Sequence, residues 1–94
     1  MDPRPKLFFL YAPGCPACES AKRPLAAFEK ENPGIRIVRV NLLEDQWTHP
    51  WSPNATPTYV FEVPYRERTR WEGKLSKDEI GQFVNKSKQH LRIP

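Results

Sequence analysis

The chain has 94 residues, a formal charge of +4 at pH 7, and 38% hydrophobic and 12% aromatic side chains. That composition suits one small domain, here residues 1–94, with a modest core; it excludes wholesale disorder. The basic residues are scattered (Lys22, Arg23, Arg36, Arg39, Arg66, Arg68, Arg70, Lys86, Lys88, Arg92), which reads as a solvated surface rather than a nucleic-acid footprint.

The first residues, Met1-Asp2-Pro3-Arg4-Pro5-Lys6, are not expected to act as a signal peptide, because the apolar run after them is short and is needed in the core. No run approaches the length of a membrane span. A cytoplasmic protein is therefore expected, with no membrane partner. Residues 6–12 are continuously apolar after Lys6, which predicts a strand covered on both faces. Pro13-Gly14 breaks it. A helix then starts, with Cys15 where the N-cap belongs and Pro16 at the first helical position, where a missing N–H costs nothing. Ala17, Ala21, Leu25 and Phe28 give that helix its apolar face. Pro24 lies inside the pattern and is expected to kink it. Asn32-Pro33-Gly34 ends it.

Residues 35–40 are β-branched and bounded by turn signals, which predicts a second strand parallel to the first. Residues 41–54 fit either a short helix or an irregular excursion, with 49–54 a loop on turn chemistry. Residues 58–63 are the third strand. A turn at 64–67 leads into the fourth strand at 68–72, whose charges suit a sheet edge. After Gly73, Ser76 and Glu79 form a capping box and Leu75 staples to Ile80. Ile80, Phe83, Val84 and Leu91 then give a last helix its core face.

Cys15 and Cys18 are the only cysteines. Two residues apart, between a strand and a helix, they stand in the context of a redox motif. In a reducing compartment such a pair is catalytic or metal-binding more often than structural, and so short a loop constrains the unfolded chain little. A zinc site would need Cys15, Cys18, His49 and His90, a spacing that matches no finger or ribbon, so no metal is expected. His90 is better explained by the dipole at a helix C-terminus.

The βαβ…ββα order, the Cys15-Pro16-Ala17-Cys18 motif and the segment Ala55-Thr56-Pro57-Thr58-Tyr59-Val60-Phe61 together resemble the thioredoxin superfamily. Gly73-Lys74-Leu75-Ser76-Lys77-Asp78-Glu79 is similar to the glycine and helix start of thioredoxins proper. The resemblance spans roughly residues 6–91. It implies a thioredoxin-like α/β fold in its small, glutaredoxin-sized version: a four-stranded mixed sheet of order 2-1-3-4 flanked by helices. There are departures. Gly14 stands where thioredoxins carry tryptophan, Pro16-Ala17 replaces Gly-Pro, and Phe9 replaces a buried aspartate. The Cys-Pro-x-Cys order is glutaredoxin-like, but Ala12, Ala55 and Glu72-Gly73-Lys74-Leu75 stand where that family binds glutathione.

The resemblance implies a thiol–disulfide oxidoreductase acting on protein disulfides, with Cys15 as nucleophile and Cys18 as resolving thiol. A glutathione-dependent glutaredoxin is one alternative; a non-catalytic binding module on the same fold is another. Cys15 at a helix N-terminus meets free N–H groups and the positive dipole end, a setting that lowers a cysteine pKa from about 8.5 to roughly 3.5–7.5. Pro57 is expected in cis, offering the backbone of Thr56 to a target strand, with Gly14 and Pro16 flanking Cys15 in the contact surface. Trp47 and Trp51, near His49, are either a rim for the target or core plugs. Arg39 either supplies a positive charge near the site or is solvated. Glu19 complements the helix dipole. No cofactor is expected beyond the redox-active Cys15–Cys18 pair. The partners would be an oxidised protein and, as electron donor, a thioredoxin reductase-like enzyme or a small thiol; the chain is expected to be a monomer.

Overall fold

The structure is a computed structural model in which residues 3–44, 55–63 and 68–90 are described. The elements run β1 (Lys6–Tyr11), α1 (Pro16–Glu31), β2 (Arg36–Asn41), β3 (Thr58–Glu62), β4 (Arg68–Glu72) and α2 (Lys77–His90). The sheet order is β2-β1-β3-β4. β1 and β2 are parallel, while β3 runs antiparallel to both β1 and β4. The mixed thioredoxin-like sheet expected from the sequence is therefore the one observed.

Strand periodicity assigns the layers. Leu7 and Phe9 of β1 and Tyr59 and Phe61 of β3 point to one face, where Ala21, Leu25 and Phe28 of α1 and Ile80 and Val84 of α2 cover them. Leu10, Val40 and Val60 point to the other face and form a second, smaller cluster with Phe8, Val38 and Leu42. The central strands are nearly continuous apolar runs because both faces are covered. The edge strands carry the charges: Arg36 and Arg39 on β2, Arg68 and Arg70 on β4.

Four strand ends differ from the sequence reading. The first strand stops at Tyr11, one residue short of Ala12. The second strand starts at Arg36 rather than Ile35, because the Ile35 N–H donates to Asn32 O and belongs to the turn. It extends to Asn41, which pairs with Tyr11. The third strand stops at Glu62, where its pairing with Lys6 and Arg68 ends. Residues 42–44 form a turn held by Asn41, whose side chain accepts the Leu43 N–H at 3.0 Å. Trp47, His49, Trp51 and the 64–67 turn lie outside the described residues.

α1 runs unbroken through Pro24. Its buried residues are Cys18, Ala21, Leu25 and Phe28; Ala17 is only half-buried, so Cys18 replaces it on the core face. At its end, Asn32 donates its side-chain amide to Phe28 O at 2.8 Å. α2 opens on the capping box: Ser76 N–H donates to Glu79 Oε1 at 3.0 Å, and Glu79 N–H to Ser76 Oγ at 3.2 Å. Ile80 and Val84 are buried, Phe83 only half-buried, and Leu91 lies outside the described residues. Ser87, which no apolar pattern marks, is buried as well. Its hydroxyl accepts from Thr69 Oγ1 at 2.6 Å and donates to Phe83 O at 2.8 Å, so burial leaves it satisfied.

Candidate active site

The site forms where β1 hands over to α1. Gly14 takes a φ of +76°, a left-handed conformation that side chains with a Cβ adopt at a cost. That turn delivers Cys15 in an extended conformation as the N-cap of α1, and Pro16 starts the helix. The Cys15 sulfur takes the part usually played by a capping oxygen: Cys18 N–H donates to it at 3.1 Å. The two cysteines are joined as a disulfide, with their Cα atoms 5.2 Å apart.

The two sulfurs are not equivalent. Cys18 is 1% exposed and sits on the core face of α1, whereas Cys15 is half-buried at the surface. An incoming group reaches Cys15 first.

A second element meets Cys15 from the far side of the chain. Thr56 Oγ1 donates to Cys15 Sγ at 3.4 Å, and Thr56 O lies 3.6 Å from the same sulfur. The Thr56–Pro57 peptide bond is cis. Both sides of this loop are pinned. Thr58 Oγ1 donates to Ala55 O at 2.6 Å, and Gly73 N–H donates to Pro57 O at 2.8 Å. Pro57 and Thr58 are fully buried. The loop is thus held rigidly at the distance where Thr56 touches sulfur.

Behind the site the lining is aromatic. Phe9, 1% exposed, packs against Tyr11 at 5.8 Å and Tyr59 at 5.4 Å between ring centroids. Burial pushes the Tyr59 phenol up, outweighing the opposite pull of the Leu75 N–H, which its oxygen accepts at 3.2 Å.

Cys15, Cys18, Thr56 and Pro57 thus come together, with Gly14 and Pro16 exposed beside Cys15. Arg39 does not join them. It forms a two-pronged ion pair with Glu29, near the other end of α1. Glu19 pairs with Lys22 at 3.0 Å on the exposed side of α1, and the Lys22 ammonium lies 5.9 Å from the Tyr11 ring. Trp47 and Trp51 cannot be placed, being outside the described residues. His90 ends α2. Among the described residues, no cluster of three or more His, Cys, Asp and Glu side chains is arranged to hold a metal ion.

The Thr56 hydroxyl was missed from sequence, which pointed only to the backbone of this residue. No local signal marks it, because the sulfur it meets lies 41 positions away along the chain.

No protein-family model matches the chain. Solved structures do match. One is thioredoxin-2 of the malaria parasite, a component of its protein secretion machinery, with 17% identity over 92% of this chain and 85% of that one and a TM-score of 0.82. Another is the Fasciola hepatica thioredoxin, with 21% identity over 92% and 83% of the two chains and a TM-score of 0.80. A third is the germline-specific thioredoxin Deadhead of Drosophila melanogaster, with 15% identity over 90% and 82% and a TM-score of 0.78. The chain has the thioredoxin fold, and its one cysteine pair forms a disulfide where the first strand of that fold passes into its first helix.

Proposed function

We propose that this protein is a thiol–disulfide oxidoreductase that reduces protein disulfides through Cys15 and Cys18. One observation carries the reading: Cys15 Sγ sits at the mouth of α1 with two donors aimed at it, the Cys18 N–H and the Thr56 hydroxyl. Both donors stabilise a thiolate, and the thiolate is the attacking species in disulfide exchange.

In the reduced protein, the Cys15 thiolate attacks one sulfur of the target. A Cys15–target bond forms, the target disulfide breaks, and the first target thiolate leaves. Cys18 then gives its proton to solvent and attacks Cys15 Sγ. The Cys15–Cys18 bond forms, the mixed disulfide breaks, and the second target thiolate leaves and is protonated. The protein dithiol loses two electrons and the target gains them. Burial of Cys18 favours this order, since an external disulfide cannot reach it before Cys15 has reacted. Thr56 offers its backbone beside the sulfur for a target strand to pair with. A thioredoxin reductase-like enzyme or a small thiol regenerates the dithiol.

Insulin-disulfide reduction with dithiothreitol tests the reading. The wild type should accelerate it and Cys15→Ser should not. No acceleration by the wild type would leave a binding module on this fold. Turnover coupled to thioredoxin reductase, compared with glutathione and its reductase, then separates a thioredoxin-type from a glutaredoxin-type donor.

A further inference from the structure

Trp71 is a large apolar residue on an edge strand and is 50% exposed. With Leu75 and Phe83 it floors a groove of about 110 Å³ between β4 and α2, rimmed by Glu79, Gln82 and Lys86. We propose that this groove is a docking subsite for the protein being reduced, seating a large apolar side chain that is followed by a carboxylate and lies a few residues from the target's cysteine. The proposal rests on the oxidoreductase reading above and names the class of substrate it prefers.

The size fits one side chain and excludes a cofactor, since small-molecule pockets need several hundred Å³. The groove stands on the strand paired with β3, whose start follows the Thr56–Pro57 loop. Trp71 stands opposite Tyr59 in the β3–β4 pairing, three residues along the chain from Thr56. Its indole nitrogen lies 4.0 Å from where a Cβ would stand at Gly73, and Gly73 donates its N–H to Pro57 O at 2.8 Å. A target strand paired at Thr56 therefore needs about 10 Å of extended chain, three or four residues, to reach the indole. In the other direction, Thr69, the next residue of β4 on the same face, is tied to Ser87 of α2 at 2.6 Å.

Charge selects the neighbouring group. The Glu79 carboxylate is engaged by Ser76 N–H in the capping box. Lys86 is exposed and forms no ion pair with any described residue, so it is free to meet an acid on the target. The chain's net positive charge acts in the same direction.

The test uses three disulfide-bridged peptides that differ at two adjacent positions, three and four residues from a cysteine. The first carries Leu-Asp there, the second Ser-Lys and the third Leu-Lys. The wild type should reduce the first with a kcat/KM about tenfold higher than the second, mostly through KM. In Trp71→Ala the preference should fall to about twofold or less. In Lys86→Glu, an exposed position that does not threaten the fold, the preference for the aspartate should reverse when Leu-Asp is compared with Leu-Lys. Equal kcat/KM for the first two peptides in the wild type, or a preference that survives both substitutions, would overturn the groove and leave the oxidoreductase reading intact. Failure of the wild type to reduce any of the peptides, or a small aromatic disulfide, would overturn both.

Discussion

The two ends of α1 are built from similar materials and do opposite things. At its N-terminus the Cys18 N–H and the Thr56 hydroxyl converge on one sulfur. At its C-terminus, about 24 Å away for 16 residues at 1.5 Å each, a larger hollow of about 280 Å³ opens between α1 and α2. Glu31, Asn32, Lys77, Asp78 and Lys88 give it more charge than the sulfur site has. Yet Lys77 bonds Glu31 at 2.8 Å, and that carboxylate holds the lysine above its ordinary value. Asn32 caps the last turn. The polar groups there answer one another, whereas at the other end two donors are directed at a reactive atom. Volume and charge do not distinguish the two ends; donors directed at one sulfur do.

The comparison breaks first at the sulfurs. Cys15→Ser should abolish reduction of insulin, while Cys18→Ser should accumulate a mixed disulfide with the target, seen by mass under non-reducing conditions. Reductase turnover by Cys15→Ser would refute the assignment of roles. The next largest effect is on stability. Leu25→Ala, in the middle of α1 and fully buried, should cost about 2–5 kcal/mol in chemical denaturation, loosening both ends together.

Thr56→Val separates the ends. It removes the hydroxyl donor but keeps the shape, and should raise the Cys15 pKa by about one unit, the worth of one hydrogen bond to a charged group. Thiolate absorbance against pH measures it, and an unchanged titration would show the contact to be idle. By contrast, Glu31→Gln at the far end should leave turnover unchanged, and a loss there would mean that the larger hollow participates.

The smallest effect is a pH dependence at α2. The Ser76 backbone N–H, then its hydroxyl, hold the Glu79 carboxyl below the usual carboxylate range. A depressed carboxyl contributes stability above its unfolded value, about 4.3, and loses it as pH falls through the lower folded value. The melting-temperature advantage of the wild type over Glu79→Gln should therefore be present at neutral pH and fade in acid. An advantage that persists in acid would remove the charge from the explanation.

Much of this was legible in the chain. The continuous apolar runs of β1 and β3, the charged β4 edge and the Ser76–Glu79 box each follow from a local rule. Local rules also put Cys15 at an N-cap ahead of Pro16. What was not legible depended on residues distant in sequence. Ser87 reads as a polar interruption until Thr69 is placed opposite it. Arg39 could have served the sulfurs until Glu29 claimed it. Ala17 and Cys18 are both plausible members of a helical face, and only the docking of α1 on β1 and β3 chooses between them. Thr56 lies 41 positions from Cys15, and its hydroxyl acquires a role only once the sheet has brought the two segments together.

The most direct test is the alkylation rate of the reduced protein as a function of pH, with the modified cysteine identified by mass. A Cys15 held at the mouth of α1 by two donors should titrate below about 7.5 and react ahead of Cys18. A reactive cysteine that titrates at about 8.5, as a free thiol does, or modification of Cys18 first, would contradict the account.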